Sequence, residues 1–270
     1  MDPYIIKFGD FGLRWYSCLI LIGVLIGIKM VQKEGRRFGI NKDFLFNMAF
    51  WSIIFGIIGA RIYYVIFNYD IYKGDLMSVF HIWEGGMAIH GGLIAGTITA
   101  FLYCKKYQVD FVRIADLCVP ALLLAQGIGR WGNFFNGEAH GAATSLEHLQ
   151  SMHLPQFIID GMYISGLYYE PTFLYESVAC LIGFVALLII RRFKYIKVGT
   201  LTSIYLMYYS VIRFFIESMR TDSLMLGGFR VAQLVSIILF LVGLVSVMLI
   251  SRKSRFEGLY NRNYDQNIRF

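Results

Sequence analysis

Residues 16–31 read YSCLILIGVLIGIKMV and run directly into Gln32-Lys33-Glu34-Gly35-Arg36-Arg37. An apolar run that ends in a basic cluster, with no small-residue cleavage site behind it, is a retained membrane anchor and not a cleaved signal peptide. Similar runs recur at about 44–67, 87–104, 114–128, 173–190, 198–217 and 230–250, so the chain carries seven such stretches. At about 20 residues per span, seven spans with short connections account for 270 residues. Composition agrees, with 57% hydrophobic, 17% aromatic and only 16% charged residues, and a mean hydropathy of +0.58. A soluble domain carries about 25% charged residues. A disordered chain and a water-soluble globule are therefore both excluded, and the expected fold class is an all-α polytopic membrane protein.

The charges set the expected orientation. Basic groups follow the first span (Lys29, Lys33, Arg36, Arg37, Lys42), the third (Lys105, Lys106, Arg113), the fifth (Arg191, Arg192, Lys194, Lys197) and the seventh (Arg252, Lys253, Arg255, Arg262, Arg269). These hold 17 of the 25 Lys and Arg residues. Positive loops face the cytoplasm, which puts the N-terminus outside and the C-terminus inside. The net charge of +7 is then an orientation signal and not a nucleic-acid footprint. One seven-helix transmembrane domain is expected over residues 1–251, with an outer connection at about 129–171 and a basic cytoplasmic tail over 252–270 that is solvated or lies on the anionic inner leaflet. The four cysteines, Cys18, Cys104, Cys118 and Cys180, stand singly, without metal-ligand spacing, and read as structural thiols.

In such a chain the informative residues are the polar ones within or beside apolar spans, since each is costly there without a partner or a task. The first cluster is Trp83-Glu84-Gly85-Gly86-Met87-Ala88-Ile89-His90-Gly91-Gly92. It sets a titratable base among glycines, beside backbone that other groups can approach. Gly92 and Gly96 also form a small-xxx-small pair, so a packing motif with a hydrogen-bonded histidine is an equally simple reading.

The second cluster runs from Gly127 to Gly141 and includes Arg130, Asn133, Asn136 and Glu138. So many Gly and polar residues predict irregular backbone that lines a polar cavity. Arg130 is the sole Lys or Arg in the 43 residues from Gly129 to Pro171, and a guanidinium fork suits a phosphate. A Gly- and Asn-rich surface turn with a snorkelling arginine is the alternative.

The third cluster is a helical stripe. At 100° per residue, Tyr209, Arg213, Glu217 and Arg220 fall within a wedge of roughly 80°. Arg213 and Glu217 can pair at i,i+4, yet two arginines face one glutamate, leaving a positive charge for an anion. Tyr16, Arg61 and Pro171-Thr172-Phe173-Leu174-Tyr175-Glu176 are lesser candidates. Zinc-protease, P-loop and serine-elbow motifs are absent. A positive, lipid-open site without a strong nucleophile of its own suits an anionic headgroup as electrophile and a nucleophile brought by a second substrate.

The segments His90-Gly91-Gly92-Leu93-Ile94, Gly129-Arg130-x-Gly132-Asn133-Phe134-x-Asn136-Gly137-Glu138 and Tyr209-x-x-x-Arg213-x-x-x-Glu217-x-x-Arg220, in this order, resemble the prolipoprotein diacylglyceryl transferase family. The likeness extends from Trp15-Tyr16 to the last span. It implies transfer of a diacylglyceryl group from phosphatidylglycerol to the lipobox cysteine of a preprolipoprotein, with release of glycerol phosphate. The implied setting is the bacterial cytoplasmic membrane, with the active site toward the outer leaflet. By this resemblance His90, Arg213, Tyr209 and Glu138 are the catalytic residues, His90 as base for the thiol and Arg213 at the departing phosphate. Arg130, Asn133, Asn136, Gly141, Tyr16, Glu217 and Arg220 would bind substrate, with Arg130 on the lipid phosphate. No cofactor, metal or nucleic acid is implied, and the chain would act in the bilayer as a monomer. The family often has His before the Pro-[Ser/Thr] of the fifth span, where this chain has Glu170. A polytopic transporter or channel for an anionic solute or lipid is the competing class; it calls for corresponding broken spans in two halves, and the sequence has no such pairing.

Overall fold

In the computed structural model, residues 2–8, 11–81, 85–221, 223–252 and 258–261 are described. Trp83, Glu84, Lys253, Arg255, Arg262 and Arg269, invoked above, lie outside them. Long helices occupy Trp15–Gly35 (α1), Lys42–Phe67 (α2), Ile89–Lys106 (α3), Phe111–Asn136 (α4), Thr172–Ile190 (α5), Thr200–Met219 (α6) and Val231–Ser251 (α7). By length and composition five of them, α1, α2, α4, α5 and α7, can cross a membrane. Helices α3 and α6, of 18 and 20 residues, stand where the third and sixth expected spans lie. Glycines, threonines and terminal lysines in α3, and serines, tyrosines, Arg213 and Glu217 in α6, dilute the hydropathy. Large apolar side chains such as Leu21, Ile57, Ile182 and Leu241 are exposed, as suits helices whose outer faces meet hydrocarbon instead of water.

The strands are short and confined to connections. Tyr4–Phe8 pairs antiparallel with Phe11–Arg14, and Met225–Leu226 with Phe229–Arg230. Leu167–Tyr169 is the middle of a three-stranded antiparallel sheet with Ala143–Thr144 and Tyr163–Ile164.

Two compact units divide the described chain, one drawn from Met1–Met30 with Ala115–Arg262 and the other from Val31–Ile114. In the second unit, α2 and α3 pack backbone to backbone along a seam of small residues. A Cβ on Gly91 would stand 2.4 Å from the carbonyl oxygen of Gly59, and one on Gly96 would stand 3.2 Å from that of Ser52. At Gly91 only hydrogen allows that approach, and at Gly96 a side chain would be tight. Arg61 of α2 is buried and spends its guanidinium on backbone: Nε donates to Val79 O at 2.8 Å, Nη1 to Gly85 O at 2.7 Å and Gly86 O at 2.9 Å, and Nη2 to Ser78 O at 2.7 Å. The connection into α3 is thereby tied to α2, and an arginine in an apolar helix is satisfied.

In the first unit, α4 meets α5 where Ser177 Oγ donates to Gly127 O at 2.9 Å, and α5 meets α6 where Tyr208 Oη donates to Ala179 O at 2.8 Å. Helix α6 starts on the buried carboxylate of Asp116 in α4, which accepts from Gly199 N at 2.6 Å and Thr202 N at 2.8 Å. That capping satisfies donors at the helix start that would otherwise be unpaired. Phe134, Leu149, Ile158, Ile159, Met162 and Phe173 form a buried cluster under the connection between α4 and α5, so this segment has a core of its own.

Two expectations need correction. The run from Gly129 to Asn136 is not irregular: α4 continues to Asn136, and Gly132 within it serves close packing. A Cβ on Gly132 would stand 2.5 Å from the ring of Tyr16, and one on Gly127 would stand 3.4 Å from Cys180 Cβ. The helix stops at Gly137, whose φ of 65° is the left-handed conformation that glycine adopts at helix ends. The tail is not wholly solvated either. Tyr260 is buried, Val198 N donates to Gly258 O at 2.8 Å and Tyr260 N to Ile196 O at 2.8 Å, so residues 258–261 dock on the connection between α5 and α6.

Candidate functional site

Within the first unit, α4, α5 and α6 bring three charged side chains to one point. Arg130 Nε lies 3.2 Å from Glu176 Oε2, and Arg213 Nη1 lies 3.5 Å from the same oxygen. The other oxygen, Oε1, accepts from Tyr209 Oη at 3.1 Å. Arg213 Nη2 also donates to Glu217 Oε2 at 2.5 Å, one turn along α6. Glu176 and Glu217 are buried, while the side chains of Arg130 and Arg213 retain 21% and 19% exposure. Of these four side chains only the two arginines keep appreciable exposure, and the carboxylates are hidden.

Arg130 Nε and Arg213 Nη1 are buried atoms without a hydrogen-bond acceptor, although both are within ion-pair distance of Glu176. The distances give Coulombic pairing, but the N–H vectors are not aligned for hydrogen bonds. Unspent donors of two arginines in a buried setting are what an anion would complete.

A polar chain extends this cluster along the end of α4. Arg130 Nη1 donates to Asn133 Oδ1 at 3.1 Å; Asn133 Nδ2 and Asn136 Nδ2 then donate to Glu138 Oε1 at 3.0 and 3.2 Å. Glu138 holds the asparagines and, through Asn133, orients Arg130. The turn at Gly137 permits this by folding Glu138 back, with Glu138 N donating to Asn133 O at 3.1 Å.

The remaining expected residues fall as follows. Tyr16 packs against Gly132 at the start of α1, where Trp15 stacks on Phe135 at 4.9 Å between ring centroids. Gly141 donates its N–H to Glu170 O at 2.9 Å, and a Cβ there would stand 2.6 Å from Glu170 Cβ. Arg220 closes α6, its N–H donating to Glu217 O at 3.3 Å. His90 belongs to the second unit, at the start of α3. It is exposed, and its ring centroid lies 6.3 Å from that of Tyr63. The packing-motif reading of this histidine required a hydrogen bond, and none of the described residues supplies one to its ring.

Two members of the cluster were undervalued in the sequence. Glu176 is the hub, and its signal was a lone acid inside a 19-residue apolar helix. Arg230 donates from Nη1 to Glu217 O at 2.5 Å; its signal was an arginine opening the last apolar run. With Glu176 counted, the charge on the α6 stripe is not simply left over: it is shared with a carboxylate on a neighbouring helix. Glu170, at the position noted for its departure, accepts from Tyr175 Oη at 2.7 Å and lies 2.9 Å from His148 Nε2, which places an imidazole beside it after all.

Taken together, long apolar helices and a buried arginine–carboxylate cluster define a polytopic membrane protein with a charged cluster built into its bundle. A model of the family described as prolipoprotein diacylglyceryl transferase matches residues 3–249. The chain is 48% identical over 253 residues to the phosphatidylglycerol–prolipoprotein diacylglyceryl transferase of Staphylococcus xylosus, covering 93% of this chain and 90% of the relative. Identity to the protein of the same name from Staphylococcus saprophyticus is 47% over 259 residues, 96% of this chain and 92% of the relative. For Staphylococcus aureus strain Newman it is 46% over 263 residues, 97% and 93%. The chain belongs to the prolipoprotein diacylglyceryl transferase family.

Proposed function

We propose that this chain transfers the diacylglyceryl group of phosphatidylglycerol to the thiol of a preprolipoprotein lipobox cysteine, forming a thioether and releasing glycerol phosphate. The observation that carries this reading is the convergence of Arg130 and Arg213 on Glu176 Oε2 at 3.2 and 3.5 Å, with donors of both guanidiniums unspent. Two oriented guanidiniums bind a lipid phosphate and neutralise the charge that gathers on it as the ester bond breaks, a contribution that usually dominates such transfers. The attacking sulfur comes from the second substrate, which accounts for a site without a nucleophile of its own.

In this reading Arg130 and Arg213 hold the phosphate, with Tyr209 and Glu217 fixing Arg213 and its surroundings. Glu138 acts through Asn133 to orient Arg130, and Asn136, held by the same carboxylate, lines the substrate site. Tyr16, Gly141 and Arg220 shape the substrate site. His90 takes the thiol proton; an exposed imidazole free of hydrogen bonds to described residues suits that task. All seven long helices span the cytoplasmic membrane of a bacterium as one catalytic domain over residues 1–251, N-terminus outside and basic tail inside. The site opens to the outer leaflet, and the monomer is the working unit, with no nucleic-acid partner.

The test is transfer by purified protein, phosphatidylglycerol and a lipobox peptide. A diacylglyceryl-cysteine thioether is expected from wild type and its loss from Arg130→Ala; no product from wild type, or undiminished product from the variant, overturns the assignment.

A further inference from the structure

Glu176 poses a problem that phosphate binding alone does not explain. A carboxylate against both phosphate-binding arginines weakens the site for its own ligand. It is also buried, an arrangement costly to maintain unless the charge is paired. Yet its contacts are graded. Oε1 is anchored by the Tyr209 hydroxyl at 3.1 Å, while Oε2 faces Arg130 Nε at 3.2 Å and Arg213 Nη1 at 3.5 Å without a hydrogen bond to either. Arg213 has a second tether in Glu217 at 2.5 Å, and Arg130 has one in Asn133 at 3.1 Å. Each arginine can therefore release Glu176 and stay in place.

The proposed reaction supplies the reason for such an arrangement. The thiolate sulfur attacks the glyceryl carbon, a C–S bond forms, and the C–O bond to phosphate breaks with its electron pair going to the phosphate oxygen; the thiol proton passes to the base. The phosphate enters as a diester with one negative charge and leaves as a monoester with a charge nearer two. A pair of arginines that stabilises this transition also retains the product, so the site needs a competitor that returns once the chemistry is done.

We infer that Glu176 is the resident counter-anion of the arginine pair: it holds Arg130 and Arg213 assembled when no lipid is bound, cedes them to the phosphate during transfer, and reclaims them to expel glycerol phosphate. This rests on the proposed function above. Glu176 is a positioning residue in this scheme, because it acts on the phosphate only through the two arginines. The carboxylate and the phosphate oppose each other's binding, and such coupling is reciprocal.

The experiment compares wild type, Glu176→Gln and Glu176→Asp for transfer rate and for inhibition by added glycerol phosphate. Removing the carboxylate charge is expected to tighten inhibition by glycerol phosphate about tenfold and to lower kcat while KM for phosphatidylglycerol stays level or falls. Glu176→Asp keeps the charge but draws it back from Arg213, and is expected to shift both quantities in the same direction by less. A merely structural Glu176 would raise KM or lower kcat without tightening product inhibition, and that result overturns the inference. Should E176Q fail to fold, the Asp variant decides by the same criterion: tighter inhibition supports the inference, and unchanged or weaker inhibition overturns it. Absence of transfer by wild type would instead overturn the proposed function and the inference with it, so the two failures are distinguishable.

Discussion

Arg130 Nε lies 3.2 Å from Glu176 Oε2, an ion pair between α4 and α5 with a carboxylate that is only 2% exposed. In the proposed function this pair sets the phosphate-binding side chain beside its competitor, and the chemistry turns on which anion the arginine faces.

Arg130→Ala is expected to lower thioether formation about 100-fold or more, the usual scale for removing a preorganised donor from a transition-state charge. Arg130→Lys should recover only part of this, since a point charge does not reproduce the guanidinium fork that reaches both Glu176 and Asn133. Initial rates with phosphatidylglycerol and a lipobox peptide provide the measurement. Equal rates for the lysine variant and wild type would mean that charge alone suffices at this position.

His90→Gln is expected to leave the fold intact and to reduce kcat by about 100-fold or more, as befits loss of a general base. The measurement is a rate profile across about pH 6 to 9, alongside thermal unfolding of both proteins. A variant that keeps the full wild-type rate throughout that range would return His90 to a packing role.

Arg61→Gln is expected to release the connection before α3, because four of its backbone acceptors lie within 2.9 Å of the guanidinium. A loss of about 3 kcal/mol or more is in line with removing several charge-assisted hydrogen bonds from a buried site. Hydrogen–deuterium exchange should accelerate in residues 76–81 and 85–88. Unchanged exchange there would show that the connection is held by something other than Arg61.

Glycines in similar sequence settings should respond in opposite ways. Gly91→Ala would drive a methyl group into the Gly59 carbonyl and Tyr63, and a loss of about 1–3 kcal/mol is expected for such overpacking. Gly129→Ala meets nothing within 4 Å in the middle of a helical run and should be neutral or stabilising by up to about 1 kcal/mol. Thermal unfolding in detergent separates the two. A larger loss for Gly129→Ala than for Gly91→Ala would contradict the packing described for α2 and α3.

The amino-acid order was enough to anticipate long helices at all seven stretches; for the five that are long and apolar enough to cross a bilayer, the reason is that such a run must satisfy its backbone internally. It also carried the family, through His90-Gly91-Gly92, the Gly129–Glu138 run and the Tyr209–Arg220 stripe. Arg213 and Glu217 could be paired from their spacing alone, because i,i+4 neighbours on a helix meet whatever else the chain does. The tertiary structure decided the rest. Glycines at 127, 129 and 132 predicted broken backbone, yet α4 runs on to Asn136, with Gly132 facing Tyr16 closely enough to exclude a Cβ and Gly127 in contact with α5. Glu176 is 46 residues from Arg130 and 37 from Arg213 in the chain, and no local periodicity announces that the three meet. Their encounter depends on how α4, α5 and α6 pack, with Ser177 against Gly127 and Tyr208 against Ala179 setting the register. Sequence decides which residues are too polar for the membrane to ignore; only packing decides which of them neutralise each other.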